Sequence, residues 1–540
     1  MIKLGEESMS KIFRKIHSVK IKLPLIFTLI ALVLLVLFSK KLFYFRWIGY
    51  EFIPKTTVVL DEKNYVAAGY SLRKTGIPTA WSNLDSYTLP EEKKISRVVD
   101  FNNVSIIVNG QEPNLKNKKL FNYPVFYVTN TDVGKGQESI LLVQPFLDHP
   151  LLSGVFYSLW TKEKPSHFAD FEVGDFRKGA LFLGVLTGLL IFFCAFLLTK
   201  NWLISFFSFF IYSLAPTYVL SSRYALIENF LIPLSLLTLS FLIIWQKYRK
   251  NFLWLILAGI TTGLAISTKE SGVFVLIMSL IILFKEHLPF KKFLFYLAPS
   301  LLIGSSFYLY GLWLAPKLWS DIFFNQTGRG FFGPLSFLYS SRQINFDGFP
   351  LDGFWLWGLM LIPLSFFRKE KISPVLIGFL SYLLVFLIFG GLNYPWYYLP
   401  FIPFVVLASG YELYLLLTKP NLASLILFFL LPFSTVMFWG RTVFKTDGQA
   451  GFYRFSLIFF LVAFLFFKAK DINWQKYKGK IHSKLKALIK VFQFKDGLIF
   501  RLAWYAFFGI ILYFAYIWSG RGIQYIIANW GNLPKAFVFK

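Results

Sequence analysis

Long apolar runs recur from one end of this sequence to the other, and they decide what the chain can fold into. Of its 540 residues, 56% are hydrophobic and only 16% are charged, whereas soluble domains are about one quarter charged. A mean hydropathy of +0.57 excludes a soluble enzyme, a disordered chain and a coiled coil. The sequence therefore predicts an all-α polytopic membrane protein.

The apolar runs predict about thirteen transmembrane helices, since roughly 20 residues cross a bilayer. The fifth, sixth and twelfth runs are shorter than the others. The predicted spans are Leu23–Phe45, Gly179–Thr199, Asn201–Leu220, Glu228–Gln246, Phe252–Ser267, Ser271–Lys285, Phe293–Ala315, Leu351–Phe367, Pro374–Gly391, Trp396–Leu417, Asn421–Gly440, Phe452–Phe467 and Gly497–Trp518.

The net charge of +28 is better explained by basic loops between spans than by nucleic-acid binding, because lysine and arginine concentrate on the cytoplasmic side of membrane proteins. Basic clusters occur at the N-terminus, after alternate spans and in Lys468–Lys495. This alternation predicts a multi-pass protein of the plasma membrane. The N-terminus is expected in the cytoplasm, as an uncleaved anchor, and the C-terminus outside.

Five regions follow from this topology. They are a basic cytoplasmic N-terminus (1–22), a first transmembrane anchor (23–46), a large extracytoplasmic loop (47–178), a transmembrane core (179–420) and C-terminal helices with a basic cytoplasmic loop (421–540).

The large loop is predicted to contain helices and a small β element. Asp61, Tyr65, Ala68 and Leu72 share one helical face, and Gly76 followed by Pro78 is a helix stop signal. Short apolar runs at Val104–Val108, Val125–Thr129 and Ile140–Val143 predict strands, with a turn at Asn109-Gly110. The apolar face of Leu151–Trp160 predicts a short helix in the membrane interface.

Four polar clusters fall on the outer side of this topology, where acids and bases near the bilayer are costly unless used or solvated. Asp61-Glu62 is either a general base with an acidic neighbour or an N-cap with a first-turn acid. Asp148-His149 is either a metal or phosphate ligand pair, or an acid at a helix start.

The other two clusters lie between predicted spans. Arg223 and Glu228 form either an interfacial salt bridge or a site. Lys269 lies between two short spans, so its charge needs either Glu270 or an anionic ligand.

Two further segments support these clusters. Arg329, flanked by glycines, suits phosphate binding. Asn393, Trp396 and Tyr397 open the tenth span, either as an interfacial aromatic belt or as part of a lipid groove. The sequence contains neither a P-loop nor a Rossmann glycine motif, so a nucleotide-driven transporter is not expected.

In order and context these motifs resemble the GT-C membrane glycosyltransferases, in the branch of protein O-mannosyltransferases and lipid A aminoarabinose transferases. The resemblance covers roughly residues 20–420. It rests on an N-terminal anchor followed by D-E-K-N-Y (61–65), D-H-P-L-L (148–152), S-R-Y-A-L-I-E-N (222–229), S-T-K-E-S-G (267–272) and Y-Y-L-P-F-I-P (397–403).

The resemblance implies an extracytoplasmic enzyme that moves a sugar from a polyprenyl-phosphate donor to a protein, lipid or glycan acceptor. It places the catalytic acid on Asp61, beside Glu62, and the second acid on Glu228, where the family usually has aspartate. The donor-phosphate ligands are then expected to be Lys269, Arg329, Arg223 and His149.

The resemblance leaves the cofactor open. No cofactor is expected to be required, although a divalent metal at Asp148 is not ruled out. Two alternatives to the enzyme are a glycolipid transporter or flippase, which would need the same cations but no base, and a non-catalytic scaffold.

Overall fold

The structure is a computed structural model and describes most of the chain between residues 23 and 418, together with one C-terminal helix. The described residues are 23–51, 58–82, 84–87, 125–133, 136–162, 164–165, 168–248, 251–327, 345–346, 349–350, 358–359, 361–362, 373–389, 395–418, 458 and 498–529. The predicted strand Val104–Val108 with its turn, and the eleventh and twelfth spans, lie outside these residues or almost entirely so.

The outer loop folds around a helix and an antiparallel sheet. Its elements are α2 (Val58–Thr75), β1 (Ala80–Trp81), β2 (Val125–Val133), β3 (Gly136–Gln144) and α3 (Leu152–Ser158). β3 is central and pairs with both β1 and β2. The runs predicted to be strands at 125–129 and 140–143 lie within β2 and β3. No sequence pattern predicted β1, because two residues are too few to show the alternation of apolar and polar side chains that indicates a strand.

Helix α2 is buried on more of its surface than a single apolar face. Residues 64–70 are all buried, because α3 packs on one side of α2 and the sheet on another. A Cβ added at Gly69 would overlap the backbone of Gly154 in α3, so the two helix backbones are in direct contact. α2 ends at the predicted stop signal, where Gly76 has a φ of +76°, which glycine adopts without steric cost.

The remaining helices form a bundle. They are α1 (Leu23–Trp47), α4 (Val173–Thr199), α5 (Trp202–Leu214), α6 (Pro216–Ser221), α7 (Ile227–Lys247), α8 (Leu253–Ile266), α9 (Val273–Lys285), α10 (Phe290–Gly304), α11 (Ser306–Leu314), α12 (Pro316–Thr327), α13 (Ser373–Phe389), α14 (Ile402–Thr418) and α15 (Leu498–Asn529). A two-stranded ladder joins β4 (Asn345–Phe346) to β5 (Phe349–Pro350).

Within the described ranges, five helices are long and apolar enough to cross a membrane: Val173–Thr199, Ile227–Lys247, Phe290–Leu314, Trp396–Thr418 and Trp504–Ala528. Shorter apolar helices cover Trp202–Leu214, Leu253–Ile266 and Ser373–Ile388. The third predicted span, Asn201–Leu220, is not one continuous helix. It breaks at Ala215, whose ψ is +121°, because the following Pro216 disfavours the helical conformation of the residue before it.

Two hydrophobic clusters fill the interior. The larger is built from the bundle helices, including Phe209, Leu239 and Val405. The smaller joins the outer loop to α11 and α12, through residues such as Val66, Leu142 and Ile322. The loop is therefore packed against the bundle, and the polar clusters predicted from sequence lie where the two regions meet.

Candidate active site

A cavity of about 300 Å³ opens between the outer loop and the bundle. Most of its wall is apolar or aromatic, and four of its side chains, those of Asp148, His149, Lys269 and Glu270, are acidic or basic. The lining residues are Leu147, Asp148, His149, Lys269, Glu270, Ser271, Val273, Phe307, Tyr308, Trp319, Ile322, Phe323, Gln326, Tyr382, Val385, Phe386 and Tyr397. This composition, an apolar wall with a few convergent polar groups, is typical of a ligand site.

An ion pair between Glu228 and Lys269 lies beside this cavity, which Lys269 lines. Glu228, in the first turn of α7, has a fully buried side chain, and that of Lys269 is 9% exposed. The Lys269 ammonium donates to Oε1 of Glu228, and its Nζ lies 4.1 Å from the ring centroid of Tyr397. Oε2 of Glu228 has no hydrogen-bond partner among the described residues. The pair therefore retains one buried acceptor for a ligand.

The turn that carries Lys269 is fixed by its backbone. Lys269 is extended (φ −156°, ψ 147°) between α8 and a short 3₁₀ helix at Glu270–Gly272. A Cβ at Gly272 would overlap the carbonyl of Ala265, so the chain can return onto α8 only with glycine there. Burial by itself lowers the pKa of Lys269, but Glu228, then Tyr397 and Glu270, raise it by more, so the pKa lies above its ordinary value. Lys269 is thus a permanent cation.

A second pair lies closer to the cavity mouth. Nδ1 of His149 is 3.4 Å from Oε2 of Glu270, and the two side chains are 16% and 40% exposed. Burial raises the pKa of Glu270, but His149 and smaller contributions outweigh it and leave the pKa below its ordinary value. The ring of Tyr65 approaches His149 edge-on at 6.0 Å, which connects α2 to this pair.

Asp61 lies one helical turn before Tyr65 on α2 and is half-buried. The pKa of Tyr65 is well above its ordinary value, mainly because of burial and then because of the negative charges of Asp61 and Glu228. Both carboxylates therefore act on the same hydroxyl. Because α2 begins at Val58, Asp61 is a first-turn residue, and the alternative reading of it as an N-cap is wrong.

Glu62 points to a different partner from Asp61. Its fully buried carboxylate accepts from Arg177 of α4, at 2.8 Å from Nε and 2.5 Å from Nη2. It also accepts from the backbone N–H of Ala225 at 2.7 Å. These donors belong to α4 and to the loop before α7. Glu62 is not among the residues that line the cavity.

Asp148 is buried and already hydrogen-bonded on both oxygens. Ser82 and Tyr87 donate to Oδ2 and Oδ1, each at 2.6 Å. Burial, and then Asp148 itself, hold the pKa of Tyr87 well above its ordinary value, so its hydroxyl remains a donor. In the part of the chain that the structure describes, no group of three or more His, Cys, Asp or Glu side chains could hold a metal ion. Both oxygens of Asp148 are therefore already engaged in hydrogen bonds, and its role as a metal ligand stays a prediction.

Comparisons with known proteins show what the chain resembles. A model of the family "Dolichyl-phosphate-mannose-protein mannosyltransferase" matches residues 121–319. The matched segment runs from before β2 into α12 and so includes Asp148, Glu228 and Lys269. No curated protein matches the chain along its sequence.

The fold is similar to that of solved ArnT structures over nearly the whole chain. ArnT from Cupriavidus metallidurans in the apo state is 12% identical with a TM-score of 0.50, and the match covers 91% of this chain and 76% of that one. ArnT bound to undecaprenyl phosphate is 13% identical, with the same TM-score and coverages of 91% and 77%. An oligosaccharyltransferase from Archaeoglobus fulgidus is 11% identical with a TM-score of 0.38, and the match covers 76% of this chain and 55% of that one.

The structure brings together most of the predicted site residues. His149, Lys269 and Tyr397 line the cavity, Glu228 pairs with Lys269, and Asp61 lies one turn from Tyr65. Arg329 and Asn393 lie outside the described residues.

Two predicted site residues lie elsewhere. Arg223 is buried and donates to the carbonyl of Phe45 near the end of α1, where a cation also stabilises the helix dipole. It is not among the residues that line the cavity, and its role as a phosphate ligand stays a prediction. Trp396, predicted in the lipid groove, is 2% exposed in the core of the bundle, because an indole this large is better buried than left at a cavity wall.

Sequence reasoning missed Arg177, which pairs with Glu62, and Tyr65, which lies among the acids. One signal could have revealed Arg177. An arginine at the start of a strongly apolar helix requires a partner, and a buried Glu62 is the matching carboxylate. Tyr65 carried no such signal, because a tyrosine on an apolar helical face is ordinarily a core residue.

Proposed function

We propose that this protein is a membrane glycosyltransferase that moves a sugar from a polyprenyl-phosphate donor to an acceptor hydroxyl. The match to the mannosyltransferase family and the fold shared with ArnT support transfer chemistry. Because one of the ArnT structures is bound to undecaprenyl phosphate, they also support a lipid-phosphate donor. The apolar cavity with cationic groups on one side suits such an amphipathic ligand.

The buried Glu228–Lys269 pair is the observation that carries the proposal. Burying two charges costs several kcal/mol per ion after relaxation, on the order of what their attraction returns. A pair that also leaves a carboxylate oxygen unsatisfied costs more, about 1–3 kcal/mol for the lost hydrogen bond. A buried carboxylate with one unsatisfied oxygen is expected at a ligand site, where the ligand supplies the missing hydrogen bond.

In the proposed reaction, the acceptor oxygen attacks the anomeric carbon of the donor sugar. The bond from that carbon to the phosphate oxygen breaks, and polyprenyl phosphate leaves with the bonding electrons. Asp61 takes the proton of the acceptor hydroxyl, a role worth about 10²–10⁴ in rate. Glu228 holds Lys269 in place and offers its spare oxygen to a sugar hydroxyl. A single displacement of this kind inverts the anomeric centre.

The leaving phosphate needs positive charge as the bond breaks. Lys269 is the buried cation that lines the cavity, and a fixed donor of this kind stabilises developing charge strongly in a low-dielectric site. His149, when protonated, adds a second positive charge at the mouth. Arg329 stays a proposed third ligand. No step requires a metal ion.

The active site is proposed to face the extracytoplasmic side of the plasma membrane. The alternation of basic loops supports this orientation, which places the 47–178 loop and the C-terminus outside. Single cysteines at Asn109 and Lys478, in a Cys194→Ser background, test it with an impermeant thiol reagent applied outside. Cys194 is the single cysteine of the sequence, so its replacement leaves no native thiol. We expect labelling at position 109 only, and labelling only at 478 would reverse the topology.

The decisive experiment offers the purified protein a panel of radiolabelled sugars carried on undecaprenyl phosphate, each matched by the corresponding nucleotide sugar. We expect label transfer or release from at least one lipid-linked sugar and from none of the nucleotide sugars. Activity with the nucleotide sugar alone would overturn the donor assignment. Binding of the lipid-linked sugars without turnover of any of them would favour a glycolipid transporter, which needs the cations and no base.

A further inference from the structure

The buried pair of Glu62 and Arg177 connects three elements that carry the site. Glu62 lies on α2, directly after Asp61, and Arg177 lies near the start of α4. The third element is the loop between α6 and α7, which reaches Glu62 through the backbone N–H of Ala225. Glu228 lies three residues after Ala225, in the first turn of α7. The carboxylate of Glu62 is therefore bonded to α4 and to the loop that precedes Glu228, and Glu62 itself adjoins Asp61 on α2.

We propose that Glu62 and Arg177 form a positioning clamp that sets the distance between Asp61 and Glu228. The proposal rests on the transfer function proposed above, and it assigns Glu62 a role other than that of a base. Neighbouring residues on a helix project about 100° apart, since 3.6 residues make one turn. When Glu62 faces α4, Asp61 is thus turned towards Tyr65 and the other acids.

The contacts of Glu62 and Arg177 fix the orientation of both side chains as well as pairing their charges. The guanidinium of Arg177 forms two parallel bonds to Glu62 and donates a third, from Nη1 to the carbonyl of Tyr50 at 3.1 Å. It also lies over the ring of Tyr224, with its Cζ 4.9 Å from the centroid. This two-pronged arrangement restricts rotation in a way that a lysine cannot reproduce.

The loop that leads to Glu228 is held from a second side. The hydroxyl of Tyr157, on α3, donates to the carbonyl of Leu226 at 2.9 Å. The amide of Asn229 donates to the carbonyls of Ser221 and Tyr224, both at 2.8 Å. These bonds hold the loop in one conformation. The bond from the N–H of Ala225 to Glu62 then sets the position of the loop relative to α2.

The test uses purified protein and two conservative variants, Glu62→Gln and Arg177→Lys. A third variant, Glu62→Met with Arg177→Met, removes both charges together, so that neither is left buried alone. The matched control is Asp175→Asn. Asp175 also lies on α4 and pairs with Lys178 and Lys162 at 3.0 and 3.3 Å, and neither partner belongs to α2 or to the loop before α7.

We expect kcat to fall by about 10²-fold in Glu62→Gln and in the double variant, because a displacement near 1 Å at the reacting atoms costs that much. Arg177→Lys should recover part of the loss. The KM for the undecaprenyl-phosphate sugar should stay within about three-fold, because Lys269 and His149 are untouched. A role in stability alone would lower the amount of folded protein and leave kcat unchanged.

A second measurement does not depend on turnover. Hydrogen–deuterium exchange should become faster across 222–228 in the three clamp variants and stay unchanged in Asp175→Asn. Wild-type kcat in folded variants, or a loss confined to KM, would reject the clamp, as would unchanged exchange in that segment. If no clamp variant yields folded protein, the pair is a stability element and the proposal is also rejected. If the wild type turns over no lipid-linked sugar, the proposed function fails, and the exchange measurement still decides the clamp.

Discussion

Among the described residues, the buried ion pairs Glu62–Arg177 and Glu228–Lys269 differ in how many of their carboxylate oxygens accept hydrogen bonds. In the pair of Glu62 and Arg177 both carboxylate oxygens accept hydrogen bonds, and the arginine also binds a backbone carbonyl. In the pair of Glu228 and Lys269 one carboxylate oxygen has no hydrogen-bond partner in the described structure, and the lysine faces a cavity.

The difference follows from the chemistry of the two cations. Arginine presents a planar fork that matches a carboxylate on both oxygens, whereas lysine is a point charge that satisfies one of them. A fully satisfied pair has nothing further to bind and can only hold elements together. A partly satisfied pair beside a cavity is ready for a ligand. The first pair therefore has a structural role, and the second is a candidate for chemistry.

The largest effect is expected when the cation of the unsatisfied pair is removed. Lys269→Ala leaves Glu228 buried without a partner and removes positive charge from the leaving phosphate, so we expect kcat to fall by about 10²–10³-fold. Lys269→Arg should recover only part of this, because a planar fork replaces a point charge. The measurement is transfer from the preferred undecaprenyl-phosphate sugar.

Lys285→Ala is the control for Lys269. Lys285 is the last residue of α9, at the end opposite the turn that carries Lys269, and donates to Ser373. Neither residue lines the cavity, so removal of Lys285 should leave kcat unchanged. A rate within a few-fold of wild type in Lys269→Ala would break the comparison between the two pairs.

A similar loss is expected for the carboxylate beside the clamp. Asp61→Asn cannot accept a proton, so turnover should fall by about 10²-fold or more. Its effect on stability should be small, about 0.3–1 kcal/mol, because a first-turn acid interacts with the helix dipole. Asp170→Asn, an exposed acid before α4, is the control. Normal turnover in folded Asp61→Asn would move the base to another carboxylate.

A third carboxylate, that of Asp148, tests whether a carboxylate with hydrogen bonds on both oxygens has a structural role. Asp148 accepts from both Ser82 and Tyr87, so it should behave like Glu62 towards unfolding. Tyr87→Phe leaves Oδ1 of Asp148 and the N–H of Leu147 without their donor and acceptor, at a cost of about 1–3 kcal/mol each. We expect a lower thermal unfolding midpoint in detergent, with kcat within about two-fold of wild type. A large loss of kcat without a change in midpoint would give Asp148 a chemical role.

The partly exposed pair of His149 and Glu270 should affect stability through pH more than through mutation. The pKa of Glu270 is below its ordinary value, so its contribution to stability is present above the ordinary carboxyl range and is lost as the pH falls through the lowered pKa. His149→Gln should shift that loss to higher pH, by a small amount because the pair is partly solvated. Unfolding midpoints between pH 3 and 7 measure it, and identical pH dependence in both proteins would contradict it.

Removal of metal ions is expected to have the smallest effect. Asp148 already has hydrogen bonds on both oxygens, and the described residues offer no cluster of three metal ligands. Treatment with EDTA, followed by removal of the chelator, should leave the transfer rate within about two-fold. Loss of activity that Mg²⁺ or Mn²⁺ restores would show that residues outside the described ranges supply a metal site.

The positions of most candidate site residues could be predicted because each lies in a short, continuous sequence motif. The segments with Asp61, Asp148, Glu228 and Lys269 could each be found in the sequence. The start of α2 could not be placed to within a turn, so Asp61 was open to interpretation as a cap. The role of Arg223 was also out of reach, because sequence shows that an arginine lies near the membrane but not which carbonyl it meets.

The sequence by itself determined the membrane class, the apolar segments and the clusters of acidic and basic residues between them. Those properties depend on hydropathy and charge, which each residue carries with it. The tertiary structure alone decided the pairing of the ions, because Glu62 and Arg177 are 115 residues apart and Glu228 and Lys269 are 41 apart. Which carboxylate becomes fully satisfied and which keeps a free oxygen depends on the packing of α2 and α4 around the loop before α7, and no local pattern records that packing.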